Sequence, residues 1–413
     1  MLAVLFVTAT VSAQYNDLQF WRPNDMRGLN VFEDPIEDTV EYQAFLVRVG
    51  GDFAMQFQGI SQSNDAGTLL DLGTDFNLPN ANLNLDVQLA PGMRMHLRTY
   101  LSSRHHPEAW IKGGHMQISN LDFISPGFLE GIMQYASIRI GLDEFNYGDA
   151  HFRRSDNART IFNPFVGNYI MDAFATEAFG EITLQAPNGL LAVVGLTNGK
   201  LNQNVAAGTD NQPSFYGKLG FDSQVNDDLR VRLTGSWYTN QGTTTGTWLY
   251  GGDRAGARYY QVLHTAEEAG NFFPRYNPRF TKLTALQVNP FIKFGGLEFF
   301  GVFELANGGN EFPEQQDEEG SFTQIAGDLL YRFGANENFY IGARYNAVQG
   351  TMREGHDVDL EINRFNIGGG WFMTRNVLTK IEYVQQNYVG DAWTGRFAGA
   401  EFSGVVLEAT ISF

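Results

Sequence analysis

The chain has no cysteine in 413 residues. That excludes a disulfide scaffold, a thiolate metal site and an acylated lipoprotein N-terminus. It also lacks any apolar run of about 18 residues or more, the length a membrane-crossing helix requires. Charge is sparse, at 18 % of residues, and unequal: 28 Lys and Arg against 46 Asp and Glu leave a formal net charge of −18. A partner with a phosphate backbone needs a basic face, so nucleic acid is excluded. Catalytic signatures are missing as well. The sequence contains no P-loop and no dinucleotide fingerprint. His96, between Arg94 and Arg98, has no serine or threonine visibly paired with it as a nucleophile. The chain reads as a non-enzyme without a resident cofactor.

What is present is 46 Gly, 34 Phe and 17 Tyr. A soluble chain of this length would divide into two or three domains. High glycine and aromatic content, little charge and no long apolar run instead suit a closed transmembrane β-barrel. The periodicity agrees. Val405, Leu407, Ala409, Ile411 and Phe413 alternate with Val406, Glu408, Thr410 and Ser412. The same period of two recurs at Phe53, Met55 and Phe57, at Leu83, Leu85, Val87 and Leu89, and at Leu229, Val231 and Leu233. Such alternation marks strands that face a different solvent on each side.

Strands are predicted near 42–60, 80–90, 93–103, 113–122, 131–144, 174–186, 189–198 and 213–223. Eight more follow near 228–239, 280–294, 297–306, 321–333, 338–347, 361–373, 376–386 and 398–413. Sixteen is an even number, which puts both ends of the barrel sheet on one side of the membrane. Alternate connectors are short and built from Gly, Pro and Asn, as at Ala90-Pro91-Gly92 and Gly295-Gly296. Those between them are long, up to about 40 residues from Tyr238 to Phe280. Short turns on one side and long loops on the other are the asymmetry of outer-membrane barrels.

Three regions are expected. Residues 1–13, MLAVLFVTATVSA, have the apolar stretch and small-residue cleavage site of a secretory signal peptide. Residues 14–40 form an N-terminal extension in the periplasm. Phe20, Trp21, Val31 and Phe32 make it too aromatic for a free linker, and it either plugs the lumen from below or covers the turns. Residues 41–413 are the barrel.

Bases and acids nearly balance on the polar faces of the strands, so the net acidity belongs to the connectors and extensions. Sixteen strands enclose a water-filled channel, and charges lining it act on passing ions because the low-dielectric wall focuses their field. Some of these charges also pair across strands for stability alone. Arg48, Arg94, Arg98 and Arg139 are placed as pore-lining bases. Residues 143–172, after the fifth strand, carry Asp143, Glu144, Asp149, His151, Arg153, Arg154, Asp156, Arg159 and Asp172. Ile161, Phe162, Ile170 and Met171 are available to pack this loop on the wall, and the alternative is an exposed loop of balanced charge. Two metal candidates lie in other connectors. His105, His106 and Glu108 flank Pro107. Glu311, Glu314, Asp317, Glu318 and Glu319 are hard oxygen donors suited to calcium bridging lipopolysaccharide, or are simply a solvated acidic loop.

The sixteen strands, terminal Phe413 and long loop after the fifth strand resemble Gram-negative outer-membrane porins. The stretch Ser137-Ile138-Arg139-Ile140-Gly141-Leu142, its following loop and the strand from Ala175 resemble the phosphate-selective porin superfamily. The opening from Trp21-Arg22-Pro23-Asn24-Asp25 to Val31-Phe32-Glu33 looks like the start of uncharacterised porins of that group. The resemblance implies a third long loop folded inward to narrow the pore. That would set the acids of residues 143–172 opposite Arg48, Arg94, Arg98 and Arg139. It also implies an outer-membrane location among lipid and lipopolysaccharide, recognition by the barrel-assembly machinery through the C-terminal strand ending at Phe413, and a homotrimer. No phosphate-binding residue set maps onto the chain. The function expected is passive diffusion of small hydrophilic solutes and ions. The alternatives are an anion or phosphate channel, and a plugged barrel serving as a surface scaffold or binding protein.

Overall fold

The computed structural model describes residues 17–37, 40–101, 109–157, 159–200, 212–242, 247–252, 258–268, 273–309, 319–351 and 360–413. The predicted leader at 1–13 lies outside them. Sixteen antiparallel strands close into a barrel in chain order, with the last paired to the first. They are β1 (Leu46–Ser63), β2 (Thr74–Ala90), β3 (Met93–Leu101), β4 (Ala109–Ile118), β5 (Ala136–Glu144), β6 (Thr176–Gln185), β7 (Leu190–Thr197) and β8 (Ser214–Gln224). Then follow β9 (Leu229–Asn240), β10 (Lys282–Phe294), β11 (Leu297–Gly309), β12 (Glu319–Phe333), β13 (Phe339–Thr351), β14 (Leu360–Thr374), β15 (Val377–Val389) and β16 (Glu401–Ser412).

The period of two places the side chains as expected. Leu329, Ile341, Ile367, Ile381 and Leu407 stand exposed on the outer face, while Asp328, Arg344, Asn366, Lys380 and Glu408 are buried inside. In water such a continuous apolar exterior would be an aggregation surface; in a bilayer it is the lipid-facing band. Near the short turn between β12 and β13 the outer face carries a row of rings. Tyr331, Phe333, Phe339 and Trp371 stack at centroid spacings of 6.1, 5.7 and 5.8 Å. Rings with this amphipathic character mark a membrane–water interface.

Two bulges shift the predicted pattern. β2 begins at Thr74, six residues before its expected start at 80, because a bulge opposite Ala54–Gln56 interrupts the alternation there. On β4 the register jumps from Gly113, opposite Arg98, to Ile111, opposite Thr99, which leaves Lys112 as the extra residue. One extra residue reverses the facing of everything beyond it. Ile111 therefore points outward, exposed, and Lys112 is buried inside the barrel. Alternation counted from Gly113 assigns Lys112 to the wrong face.

Candidate functional site

The site is built from the chain that leaves β5. Asp143, at the end of the strand, accepts from Arg98 (2.8 Å) and contacts the His115 ring nitrogen (2.9 Å). Glu144 pairs with Arg159 and accepts from Asn157 (3.2 Å). From that neck the chain turns into the lumen. Lys112 holds Asp156, whose φ of 106° lies where residues with a side chain rarely go. Gly148, with φ of 67°, passes so near Gln287 that a Cβ would lie 1.9 Å from its Oε1.

That close passage delivers Asp149 to the far wall. Its carboxylate accepts from Lys218 on β8 (2.8 Å) and from Arg232 (2.8 and 2.9 Å) and Thr234 (2.7 Å) on β9. Burial alone would raise the carboxyl, but the Arg232 and Lys218 charges outweigh it and hold Asp149 far below the usual carboxylate range. Burial also pushes the His151 imidazole well down, and the Lys218 and Arg159 charges add to the effect. Arg153 donates to Glu298 on β11 (2.7 Å), and Arg154 forks onto Asp172 within the loop (2.9 and 2.5 Å).

Beyond Arg159 the loop crosses to β13–β16. Lys380 donates to the carbonyls of Thr160 (3.2 Å), Asn163 and Phe165 (both 3.1 Å). Arg344, forked onto Asp328, reaches the Gly167 carbonyl (2.8 Å), and the Val166 amide donates to Glu382 (2.7 Å). Ile161, Phe162 and Phe165 pack with Leu330, Tyr340, Phe372 and Leu378 of the wall. Ile170 and Met171 join a second apolar cluster. The loop is thus tied to the wall at both ends and across its span.

Two further segments share the lumen. Residues 17–37 enter at the short-turn mouth, where the Met26 amide donates to the Arg375 carbonyl (2.8 Å) and Asn24 donates to Gly51 (3.2 Å). Asp34 accepts from Arg94 (2.6 Å), Glu33 is forked by Arg232 (2.8 and 3.0 Å), and Asn30 bridges Arg153 (2.6 Å) and Glu298 (2.8 Å). Phe32 sits among Phe152, Phe291 and Phe300. Residues 247–252 and 258–268 enter from the long-loop side. Tyr250 donates to Glu304 (3.0 Å), Arg258 to Glu408 (2.6 Å) and Tyr259 to Glu382 (2.7 Å). Gly167 permits the last crossing, since a Cβ there would lie 2.2 Å from the Tyr259 hydroxyl.

The four wall arginines therefore divide. Arg98 meets Asp143 at the end of β5. Arg139 meets the wall acid Glu181 (3.3 Å) and the Glu144 carbonyl (3.2 Å). Arg94 goes to Asp34. Arg48 pairs with Asp86 (3.2 Å) and lies 4.0 Å over the Trp21 ring. The N-terminal segment stands where loop acids were expected. Sequence reasoning passed over Lys112, and it assigned no role to Tyr250, Arg258 and Tyr259. The signal for those three was the ring content of their connector, too aromatic for a solvated loop. His105, His106, Glu108, Glu311, Glu314, Asp317 and Glu318 lie outside the described residues, and Glu319 is exposed at the start of β12. Among the described residues no group of three His, Asp or Glu is placed to hold a metal.

Between the N-terminal segment and the loop neck lies a cavity of about 100 Å³, lined by Trp21, Asp34, Arg94, Arg98, Arg139 and Arg159 among others. Opposed charges fixed this close across a narrow, low-dielectric space produce a strong transverse field, which orients dipolar solutes and disfavours apolar ones.

No family model and no curated protein matches the sequence. Solved structures do match in fold. The outer-membrane channel DcaP of Acinetobacter baumannii aligns with 89 % of this chain and 97 % of its own, at a TM-score of 0.56 and 10 % identity. The outer-membrane protein OmpT of Vibrio cholerae, in its trimer form, covers 90 % of this chain and 100 % of its own at a TM-score of 0.54 and 10 % identity. An anion-selective porin from Comamonas acidovorans shows the same coverage at 0.52 and 10 %. The fold of this chain is that of the sixteen-stranded outer-membrane porins.

Proposed function

We propose that the protein is an outer-membrane channel for passive diffusion of small hydrophilic solutes and ions. The observation that carries this reading is residues 143–172, folded across the lumen from Asp149 on β8 and β9 to Val166 and Gly167 on β15 and β13. A loop placed there forms the narrowest part of the path, and Arg98, Arg139, Asp149, Arg153 and Arg159 set the field a solute meets. Asp143, Glu144, Arg154 and Asp156 hold the loop's shape through Arg98, Arg159, Asp172 and Lys112. No catalytic role is assigned to any of them.

A second reading, a plugged barrel used as a surface scaffold, is favoured by one feature: three segments occupy the lumen, and wall groups such as Arg344, Lys380 and Glu298 are nearly fully buried. Recordings in a planar bilayer separate the two. Steady current with weak selectivity supports the diffusion channel, and a strongly anion-directed reversal potential makes it an anion channel. Silence under all conditions supports the scaffold. Assembly as a homotrimer, with Phe413 as the terminal signal for barrel insertion among lipid and lipopolysaccharide, belongs to the same proposal. Cross-linking in native membranes tests the trimer.

A further inference from the structure

Residues 17–37 make no strand pairing with the barrel among the described residues. Beside amide and carbonyl contacts such as Gln19 with Gln88 and Met26 with Arg375, two of their anchors are carboxylates set on buried wall cations. Arg232 grips Glu33 with two parallel hydrogen bonds, Nη1 to Oε2 at 2.8 Å and Nη2 to Oε1 at 3.0 Å. This is the fork geometry by which a guanidinium recognises any planar carboxylate. Lys218 stands 3.5 Å from the same group, and Arg94 holds Asp34 at 2.6 Å. Arg232, Lys218 and Arg94 are each more than nine-tenths buried. The adjoining cavity adds unused capacity: the Nε atoms of Arg94, Arg98 and Arg139 have no hydrogen-bond partner among the described residues. Buried donors left this way are costly unless something arrives to accept from them.

We propose that residues 17–37 are an internal, displaceable plug, and that small organic anions bearing a carboxylate compete with Glu33 and Asp34 for Arg232, Lys218 and Arg94. The inference rests on the channel reading. The exchange trades one carboxylate for another at the same cations, so no buried charge is stranded when the segment leaves. A neutral solute offers no such replacement and leaves the plug in place. What keeps the segment home in the absence of solute is its tether to β1, which gives its own carboxylates a high effective concentration.

The test uses the full chain with one added thiol, unambiguous because the protein has no cysteine. Leu18 is buried in the segment, so Leu18→Cys reports opening by reaction with a water-soluble maleimide. Malonate is expected to speed labelling severalfold over chloride at equal ionic strength, and to raise bilayer current in step. The Glu33→Gln/Asp34→Asn background is expected to label fast without malonate and to lose the response. A labelling rate indifferent to malonate, or unchanged by the double substitution, overturns the plug whatever the current does. Acceleration by inorganic phosphate or glucose equal to that by malonate overturns the carboxylate assignment. If labelling responds while every sample stays electrically silent, carboxylate exchange stands and the channel reading falls.

Discussion

Residues 143–172 and residues 17–37 are both irregular chain inside one barrel, and both set a carboxylate on Arg232, yet the loop adds attachments that the segment lacks among the described residues. The loop is attached to strands at both ends, buries Ile161, Phe162, Phe165 and Val166, and receives three carbonyl contacts from Lys380 alone. Among the described residues the N-terminal segment is continuous with a strand only toward β1, and Phe32 is its one ring in the clustered interior. Backbone carbonyls cannot be exchanged for solute, whereas carboxylates at a guanidinium fork can. The comparison teaches that occupying a lumen does not make a segment a permanent wall. Its attachments decide that.

The sharpest way to break the contrast is at Lys380. Lys380→Met removes the three loop contacts and one partner of Glu408, which Arg258 still serves. Breaking a buried charged network of this kind costs on the order of 3–5 kcal/mol. The midpoint of denaturant unfolding should fall accordingly, and channel current should become noisy. Phe32→Ala should affect stability less than the roughly 3 kcal/mol of a truncated core ring, because a segment without strand pairing can relax around the gap. Its mark should be faster labelling at Leu18→Cys with an unchanged barrel midpoint. Equal losses from the two substitutions would erase the distinction between the segments.

Acid provides the next test. Burial opposes ionisation of Glu33 and Asp34, but Arg232 and Lys218 on the first, and Arg94 and Arg139 on the second, hold both carboxyls below their ordinary values. Depressed carboxyls contribute anchorage that is complete above their free values and lost as pH falls through the bound ones. Labelling at Leu18→Cys should stay flat from neutral pH to about pH 5 and rise below about pH 4. The Lys380 contacts to carbonyl oxygens do not titrate there, so the loop should remain. Accelerated labelling of a loop thiol at Ile161→Cys in the same range would contradict this.

The smallest effects concern selectivity. Arg153→Ala removes one of two cations from Glu298, leaving Arg332 and the neutral Asn30 amide, so the reversal potential in a salt gradient should move toward cations. Glu319→Gln at the rim should not move it measurably, since screening at physiological salt acts within about 8 Å. A rim effect larger than the Arg153 effect would place the selective step outside the loop.

Alternation made the barrel legible. Sixteen strands, their inward and outward faces and the short turns follow from a local period of two, enforced because arginine facing lipid at mid-membrane costs roughly 2–4 kcal/mol. Where the period failed, at Lys112 and before residue 80, a bulge was the reason, and a bulge is set by pairing with the neighbouring strand. The charged residues of 143–172 were visible as a group, since nine Asp, Glu, Arg and His side chains in one connector are conspicuous. Their partners were not. Asp149 meets Arg232 across 83 positions and Arg153 meets Glu298 across 145. Such pairs are created only when the sheet closes and brings later strands within reach of one loop. The placing of Asp34 on Arg94, ahead of any loop acid, was likewise decided by closure, because a local pattern encodes which face a side chain takes but not what stands opposite it.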